Sequence, residues 1–325
     1  MTERLAPDPS FAEAVAPYRR ELLAHCYRMT GSFADAEDAL QESLVRAWRG
    51  LAGFERRASM RTWLYRVATN TCLTMIGERR ARTMPHLMYP AGSRSGDSTG
   101  DHEPTWLEPF PDALLEDDPD TRPDALYSRR HAVRLAFIAA LQRLPARQRA
   151  TLILRDVVAL SAEETAAALE MTVAASNSLL QRARELVDEE SGRPAPVLER
   201  AAEANLLSRY VDAWEGGDAK ALIALLREDA IASMPPTPLW VQGPQAVIDC
   251  MVELVWSGGE IRLTPYAANA APAFAVYQRR DGVLTLAALS VVDVRSEGVA
   301  SIHSFLTSDP VAFGARYTLA PHLGG

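Results

Sequence analysis

Cysteine is scarce. The 325 residues contain three, Cys26, Cys72 and Cys250, odd in number and widely scattered. That pattern excludes a disulfide framework and shows no metal-ligand spacing, so no metal is expected and a reducing cytoplasm is the expected location. Lysine is scarcer still: Lys220 stands alone among 34 basic residues. The bias points to genomic base composition, and it leaves any phosphate contact to arginine. Long apolar runs are missing as well. No stretch approaches the ~20 apolar residues of a membrane span, and the opening MTERLAPDPSFAEA lacks the basic-then-apolar build of a signal peptide, so no membrane partner is expected. Gly-rich phosphate loops and nucleophile motifs are also absent, so no cofactor is expected.

Apolar residues make up 48% and charged residues 23%, the range of ordinary globular protein, and the length suits two or three domains. A net charge of −8 argues against a nucleic-acid binder until it is divided along the chain. Residues 1–95 carry 14 basic and 10 acidic side chains, residues 96–125 carry 1 and 10, residues 126–200 carry 11 and 9, and residues 201–325 carry 8 and 13. Two mildly basic blocks flank a strongly acidic strip, and an acidic block follows. Such segregation implies different partners for different segments.

Residues 10–84 read as helices. Leu22, Leu23, Cys26, Tyr27 and Met29 fall at helical spacing until Gly31 stops the run. Ser32 opens the next helix, with Ala36, Ala39, Leu40, Leu44, Ala47 and Trp48 as its apolar stripe. A third spans roughly Ser59 to Arg82. Residues 85–125 lose all periodicity and read as a disordered or extended linker. Helices resume near Asp124 and run to about Glu190, with breaks near Pro145, Val158–Leu160 and Met171. Beyond SGRPAP (191–196) the texture changes. Helical segments at 197–215 and 218–227 precede strand-like runs at 273–279, 283–294 and 299–306, joined by turns at 281–282 and 297–298, with one helix at 244–256.

In DAEDALQE (35–42), Asp35, Asp38 and Glu42 lie three and four apart and share a helix face with Gln41 beside them. Taken alone, this is a solvated acidic face. Downstream, RTWLYRVATN (61–70) and ERRAR (78–82) interleave arginine, aromatics and asparagine on one helix, which suits phosphate contact, base stacking and base-edge hydrogen bonding together. In a helix such aromatics also serve as core. The two segments resemble region 2 of extracytoplasmic-function (ECF) sigma factors, a subfamily of the sigma-70 family of bacterial RNA polymerase. The resemblance implies that Asp35, Asp38, Gln41 and Glu42 dock on the β′ clamp helices of core polymerase. It also implies that Arg61, Trp63, Arg66, Asn70, Arg79 and Arg80 recognise and melt the −10 promoter element.

A second block, 141–186, contains an S-x-x-E capping box at Ser161 and Glu164, a turn near Glu170–Thr172, and a second helix with polar faces. This is a helix-turn-helix, and it resembles region 4 of the same factors, which reads the −35 element. The implied readers are Thr172, Ser176, Asn177, Gln181 and Arg182. Two departures stand out: Glu170 holds the turn position that favours glycine, and Ser176 holds a place usually aliphatic. The acidic strip resembles the linker that threads the polymerase between regions 2 and 4, with WLEPFPD (106–112) as a candidate ordered anchor.

Residues 201–325 resemble the SnoaL-like domain appended to some ECF sigma factors, a cone-shaped α+β fold shared with ketosteroid isomerases. The implied pocket is lined by Trp214, Met234, Trp240, Phe274, Tyr277 and His303. Asp229 and His303 are the nameable proton carriers, although a surface Asp and a satisfied strand His are the plainer readings. The expected fold class is therefore multidomain: two all-α sigma domains plus a C-terminal SnoaL-like α+β cone. The expected boundaries are 1–84 for region 2, 85–125 for the linker, 126–190 for region 4 and 197–325 for the appended domain. The expected activity is that of an alternative sigma factor, not an enzyme, with core RNA polymerase (β′ and β subunits), promoter DNA and a small-molecule ligand of the C-terminal domain as partners. The alternative is a proton-transfer isomerase, cyclase or hydrolase fused to a DNA-targeting module.

Overall fold

The computed structural model describes residues 9–54, 59–77, 81–92, 105–115, 132–191 and 198–324. Its helices run α1 Pro9–Val15, α2 Arg19–Thr30, α3 Phe33–Gly50, α4 Met60–Gly77 and α5 Pro85–Met88. They continue with α6 Leu135–Arg143, α7 Ala146–Leu152, α8 Ala162–Ala168 and α9 Val173–Ser191. The chain then alternates α10 Arg200–Glu215, α11 Ala219–Ile223, β1 Leu226–Ser233, β2 Trp240–Gln242, α12 Pro244–Leu254, β3 Ile261–Ala268, β4 Ala271–Arg280, β5 Val283–Arg295, β6 Gly298–Leu306, α13 Pro310–Tyr317 and β7 His322–Leu323. These elements gather into two compact units, Met1–Arg82 with Ala113–Arg193, and Thr83–Asp112 with Pro194–Gly325.

In the helical unit, local chemistry sets the corner between α2 and α3. Gly31 takes φ +70° and donates to Tyr27 O at 2.7 Å, a left-handed stop that a side chain would strain. Ser32 follows as N-cap, its hydroxyl accepting from Asp35 N at 3.0 Å. The apolar stripes then close on one another, burying Leu22, Cys26, Tyr27, Phe33, Ala36, Leu64 and Cys72 completely or nearly so. A π-helical turn over Ile153–Val157 extends α7, and Ser161 and Glu164 form the expected capping box at the start of α8. The third helix is described as far as Gly77, and Arg82 lies outside it.

The other unit is built on a sheet in the order β2-β1-β6-β5-β4-β3, with β7 paired to β5. Helices and strands alternate in it, the α+β class expected for these residues. The strands are not all antiparallel: β1 pairs β6 in parallel, Ser233 beside His303. The helix expected at 218–227 stops at Ile223, because Leu226 already begins β1. One sheet face is covered by α10 and α12 around Tyr210, Trp214, Val247, Met251, Phe274 and Ile302. On the opposite face, Ala275, Tyr277, Leu284 and Leu286 pack beneath Phe313, Leu319 and Leu323. β3 carries Pro265 without penalty, since an edge strand tolerates a missing N–H.

The linker reading needs correction where the linker is described. Residues 83–92 and 105–112 are folded into the C-terminal unit. Thr83 and Trp106 form a parallel bridge, and Met84, Leu107 and Phe110 are buried. Phe110 N donates to Asn269 Oδ1 at 3.0 Å, and Asn269 N returns a bond to Phe110 O at 2.9 Å. Ala270 N donates to Asp112 Oδ1 at 2.8 Å. WLEPFPD is thus anchored on the β3–β4 turn, whose Asn269 and Ala270 both have positive φ. Three large apolar side chains outweigh the local charge.

Candidate polymerase and nucleic-acid interfaces

α3 buries Ala36, Ala39, Leu40, Ser43 and Ala47 and presents Glu37, Asp38, Gln41 and Glu42 to solvent. Three of the four expected docking residues therefore form one open polar face. Asp35 does not join it. Its carboxylate is half-buried and bonded to Arg82 at 2.7 Å, which ties the end of region 2 back onto α3. Glu42 makes an exposed i,i+4 pair with Arg46 at 2.7 Å, worth little to stability.

On α4 the expected −10 readers divide. Arg61 is a structural hub: it pairs with Glu21 at 2.9 Å, lies 4.9 Å over the Tyr65 ring and donates to Val158 O at 3.4 Å. Tyr65 is core, with its hydroxyl on Glu21 and its pKa pushed up by burial and by that carboxylate. Beneath it, buried His25 shares a 2.9 Å hydrogen bond with Thr69, and burial, Arg28 and Arg61 lower its pKa to about 3. Trp63 is half-buried against Phe54, ring centroids 4.9 Å apart. Arg66 is exposed and Asn70 half-exposed. Arg79 and Arg80 lie outside the described residues.

In the helix-turn-helix, Thr172 caps α9 by accepting from Ala175 N at 3.1 Å. Asn177, Gln181 and Arg182 are exposed on the same helix, so four of the five expected −35 readers share an open surface. Ser176 is the exception. It is 1% exposed, with its hydroxyl buried and without a hydrogen-bond partner. It faces the interior between the two helices, as the aliphatic residue usual at that place would. Glu170 does adopt φ +52°, and its carboxylate reaches Arg66 at 3.3 Å.

Sequence patterns gave no sign of Arg149. It is 2% exposed and donates to Leu141 O at 2.8 Å, Gln142 O at 3.1 Å, Leu144 O at 3.2 Å, Gln142 Oε1 at 2.6 Å, and Met29 O. One guanidinium thus satisfies the carbonyls of Gln142 and Leu144 at the end of α6, shares Leu141 O with Leu144 N, and meets one carbonyl from α2. Arg28 Nε donates to Ala132 O at 3.0 Å and Gln142 Nε2 to Arg28 O at 3.2 Å, completing the joint. Buried residues that recognise backbone carbonyls leave no periodic trace in a sequence.

In the C-terminal unit the six expected pocket residues fall on opposite sides of the sheet. Trp214, Met234 and Phe274 belong to the cluster under α10 and α12. Tyr277 lies three positions after Phe274 on β4 and so faces the other way, into the cluster under Phe313. His303 and Trp240 both register with Ser233 and share its face. There His303 Nδ1 bonds Ser233 Oγ at 2.8 Å and stacks on His86 of α5, centroids 5.5 Å apart. Burial and then His86 lower the His303 pKa to about 3. Trp240 donates to Tyr89 O at 2.7 Å and accepts from Gly92 N at 2.8 Å. Asp229 is exposed and paired with Arg227 at 2.8 Å. Among the described residues no group of three or more His, Cys, Asp or Glu is placed to hold a metal ion, and no helix is long and apolar enough to cross a membrane.

Comparison with known proteins gives independent findings. The Sigma-70 region 2 model matches residues 14–82, and the Sigma-70 region 4 model matches residues 134–187. The ECF RNA polymerase sigma factor SigG of Mycobacterium tuberculosis is 44% identical over 304 residues, 91% of this chain and 81% of that one. The ECF sigma factor SigJ of the same species is 30% identical over 215 residues, 65% of this chain and 60% of that one. A crystal structure of M. tuberculosis SigJ superposes with TM-score 0.63 over 95% of this chain and 100% of that one, at 22% identity, which speaks to the fold alone.

Proposed function

The chain belongs to the ECF family of RNA polymerase sigma factors, and on that premise we propose how its surfaces divide the work. As an alternative sigma factor it directs promoter-specific transcription initiation, with core RNA polymerase and promoter DNA as its partners. Residues 1–84 act as region 2. Asp38, Gln41 and Glu42 dock on the β′ clamp helices, while Trp63, Arg66 and Asn70 engage the opened −10 element, with Arg79 and Arg80 as phosphate contacts. Capture of unstacked bases supplies roughly 1–3 kcal/mol per stacked base toward opening. Residues 126–190 act as region 4, in which Thr172, Asn177, Gln181 and Arg182 read the −35 element. Its place of work is the cytoplasm, where the polymerase is. The observation that carries this reading is the open Asp38–Gln41–Glu42 face of α3 beside an arginine- and aromatic-bearing α4. The double variant Asp38→Lys/Glu42→Lys should fold normally and lose co-purification with core polymerase. Retained affinity would defeat the docking assignment.

For residues 197–325 we propose regulation rather than catalysis. Support comes from the linker, which leaves the helical unit at Arg82 and returns at Ala113 after anchoring on this domain. Reshaping the domain, by a ligand among the residues under α10 and α12, would then change how far regions 2 and 4 can separate. The proton-transfer reading lacks a gathered acid–base pair, since Asp229 is exposed in an ion pair and His303 lies on the far sheet face against Ser233 and His86. Truncation after residue 195 should change transcription several-fold at unchanged start sites. Unchanged activity, with turnover of a carbonyl substrate by the appended domain, would favour the enzyme.

A further inference from the structure

The stripe of α9 that carries Asn177 and Gln181 runs on to Arg184, since positions i, i+4 and i+7 share a helix face. Seven residues fall within about 20° of two full turns and advance about 10 Å along the axis. The major groove is about 12 Å wide. With Asn177 at a base edge, a side chain that far along the same face meets the groove wall, which is phosphate. Arginine suits that contact, yet here the guanidinium is already engaged. Arg184 Nε donates to Asp156 Oδ2 at 2.8 Å and a terminal nitrogen donates to Asp156 Oδ1 at 2.6 Å, the two-pronged geometry that a phosphate would also use.

Asp156 is delivered by a distinctive piece of backbone. It lies in the π-helical turn Ile153–Val157, and the chain leaves that turn through Ala159 at φ +62°, a left-handed position that side chains rarely adopt. Ile153, Leu154, Val158 and Leu160 are buried around it, and Arg155 donates to Leu160 O at 3.1 Å. The carboxylate is thus presented from a packed support. Both partners stay open to water, the Arg184 side chain 53% exposed and that of Asp156 32%, so the pair is weak enough to exchange.

We propose that Arg184 is a further phosphate contact at the −35 element and that Asp156 is its positioning residue. Off target, α9 rides higher in the groove and the carboxylate keeps the guanidinium; at the right sequence the seated helix brings it within reach of a phosphate, which takes it over. Non-specific binding then lacks one charge contact that specific binding has, and the specificity ratio rises. The proposal rests on the −35 reading of α9.

The full chain assembled with core polymerase tests it on two duplexes of a promoter mapped from its own transcripts, one intact and one with the −35 element scrambled. Binding is followed by anisotropy across a KCl series. One phosphate contact is worth about 0.9 in the slope of log K against log [KCl]. Asp156→Asn should steepen the slope on the scrambled duplex by up to that amount, leave the intact one unchanged, and lower discrimination several-fold at low salt. Arg184→Ala should instead flatten the slope on the intact duplex by the same amount and leave the scrambled one unchanged. The double variant should behave as Arg184→Ala does. An unchanged scrambled-duplex slope in Asp156→Asn would overturn the proposal. So would a steep slope that persists in the double variant, since the lost carboxylate would then act by its own charge. Weaker binding of Asp156→Asn to both duplexes, the mark of a structural strut, would overturn it too. Arg182→Ala reports separately on the reading beneath: if the parent and Arg182→Ala bind both duplexes alike, the −35 assignment of α9 falls. If the parent discriminates and Arg182→Ala does not, while Asp156→Asn changes no slope, only the role of Asp156 falls.

Discussion

Arg149→Met tests the joint of the helical unit. The substitution removes five donors and one charge while keeping most of the side-chain volume. It strands the carbonyls of Gln142, Leu144 and Met29, whereas Leu141 O keeps its bond from Leu144 N. At about 1 kcal/mol or more per buried unsatisfied acceptor, the loss is about 3 kcal/mol. Relief from burying a cation offsets part of it: burial lowers the Arg149 pKa only to about 10, so the group stays charged at neutral pH. A net loss of about 2 kcal/mol remains, a large part of a typical domain's stability. For a unit of this size that corresponds to a fall of roughly 4–8 °C in Tm. Differential scanning calorimetry of the full chain reads it, with the transition of the C-terminal unit as internal reference. Arg149→Lys keeps the charge but not the planar fork, and should lose about half as much. A midpoint for Arg149→Met within 1 °C of the parent would refute the idea that this guanidinium organises the unit.

Acid should weaken both units. His25 and His303 titrate near 3 when folded and near 6.5 when unfolded, so the unfolded chain binds more protons below 6.5. The associated stability is complete above that pH and is lost as pH falls toward 3, at about 1.4 kcal/mol per pH unit for each histidine; urea midpoints for His303→Gln between pH 6.5 and 5 should show a correspondingly shallower slope, and an unchanged slope would count against a buried neutral imidazole. Ser176→Ala should raise stability by about 1 kcal/mol, because it removes an unsatisfied buried hydroxyl, and any loss on chemical denaturation would show that the hydroxyl has a partner. Trp63→Ala should impair promoter opening seen by permanganate, whereas Arg182→Ala should weaken closed-complex binding roughly ten- to hundredfold; equal effects on both steps would erase the division between regions 2 and 4.

Local grammar was legible where the signal is local. Gly31, Ser32 and the Ser161–Glu164 capping box each end or start a helix where the residues indicated, and the hairpin at Asp281–Gly282 joins β4 to β5. Sidedness was harder. The acidic face of α3 is real, yet Asp35 turns inward because Arg82, 47 positions later, arrives beside it. Ser176 sits at the core position that the pattern reserves for an aliphatic residue, although its polarity had placed it among the readers. Strand parity alone separates Phe274 from Tyr277, so that division was available in advance. The string 106–112 could be picked out as an anchor, but what it anchors on could not, because that is Asn269 at a turn more than 150 residues away. Long-range bonds to backbone carbonyls, such as those of Arg149, are invisible to any pattern in one sequence.

Reconstitution of the full chain with core RNA polymerase, followed by sequencing of transcript 5′ ends from genomic DNA, bears most directly on the sigma-factor reading. Start sites should appear that core polymerase alone does not use, preceded by one shared pair of motifs near −10 and −35. Arg182→Ala should weaken use of the set, and Asp38→Lys/Glu42→Lys should abolish it. A transcript set identical to that of core polymerase alone would contradict the assignment of this chain to promoter-specific initiation.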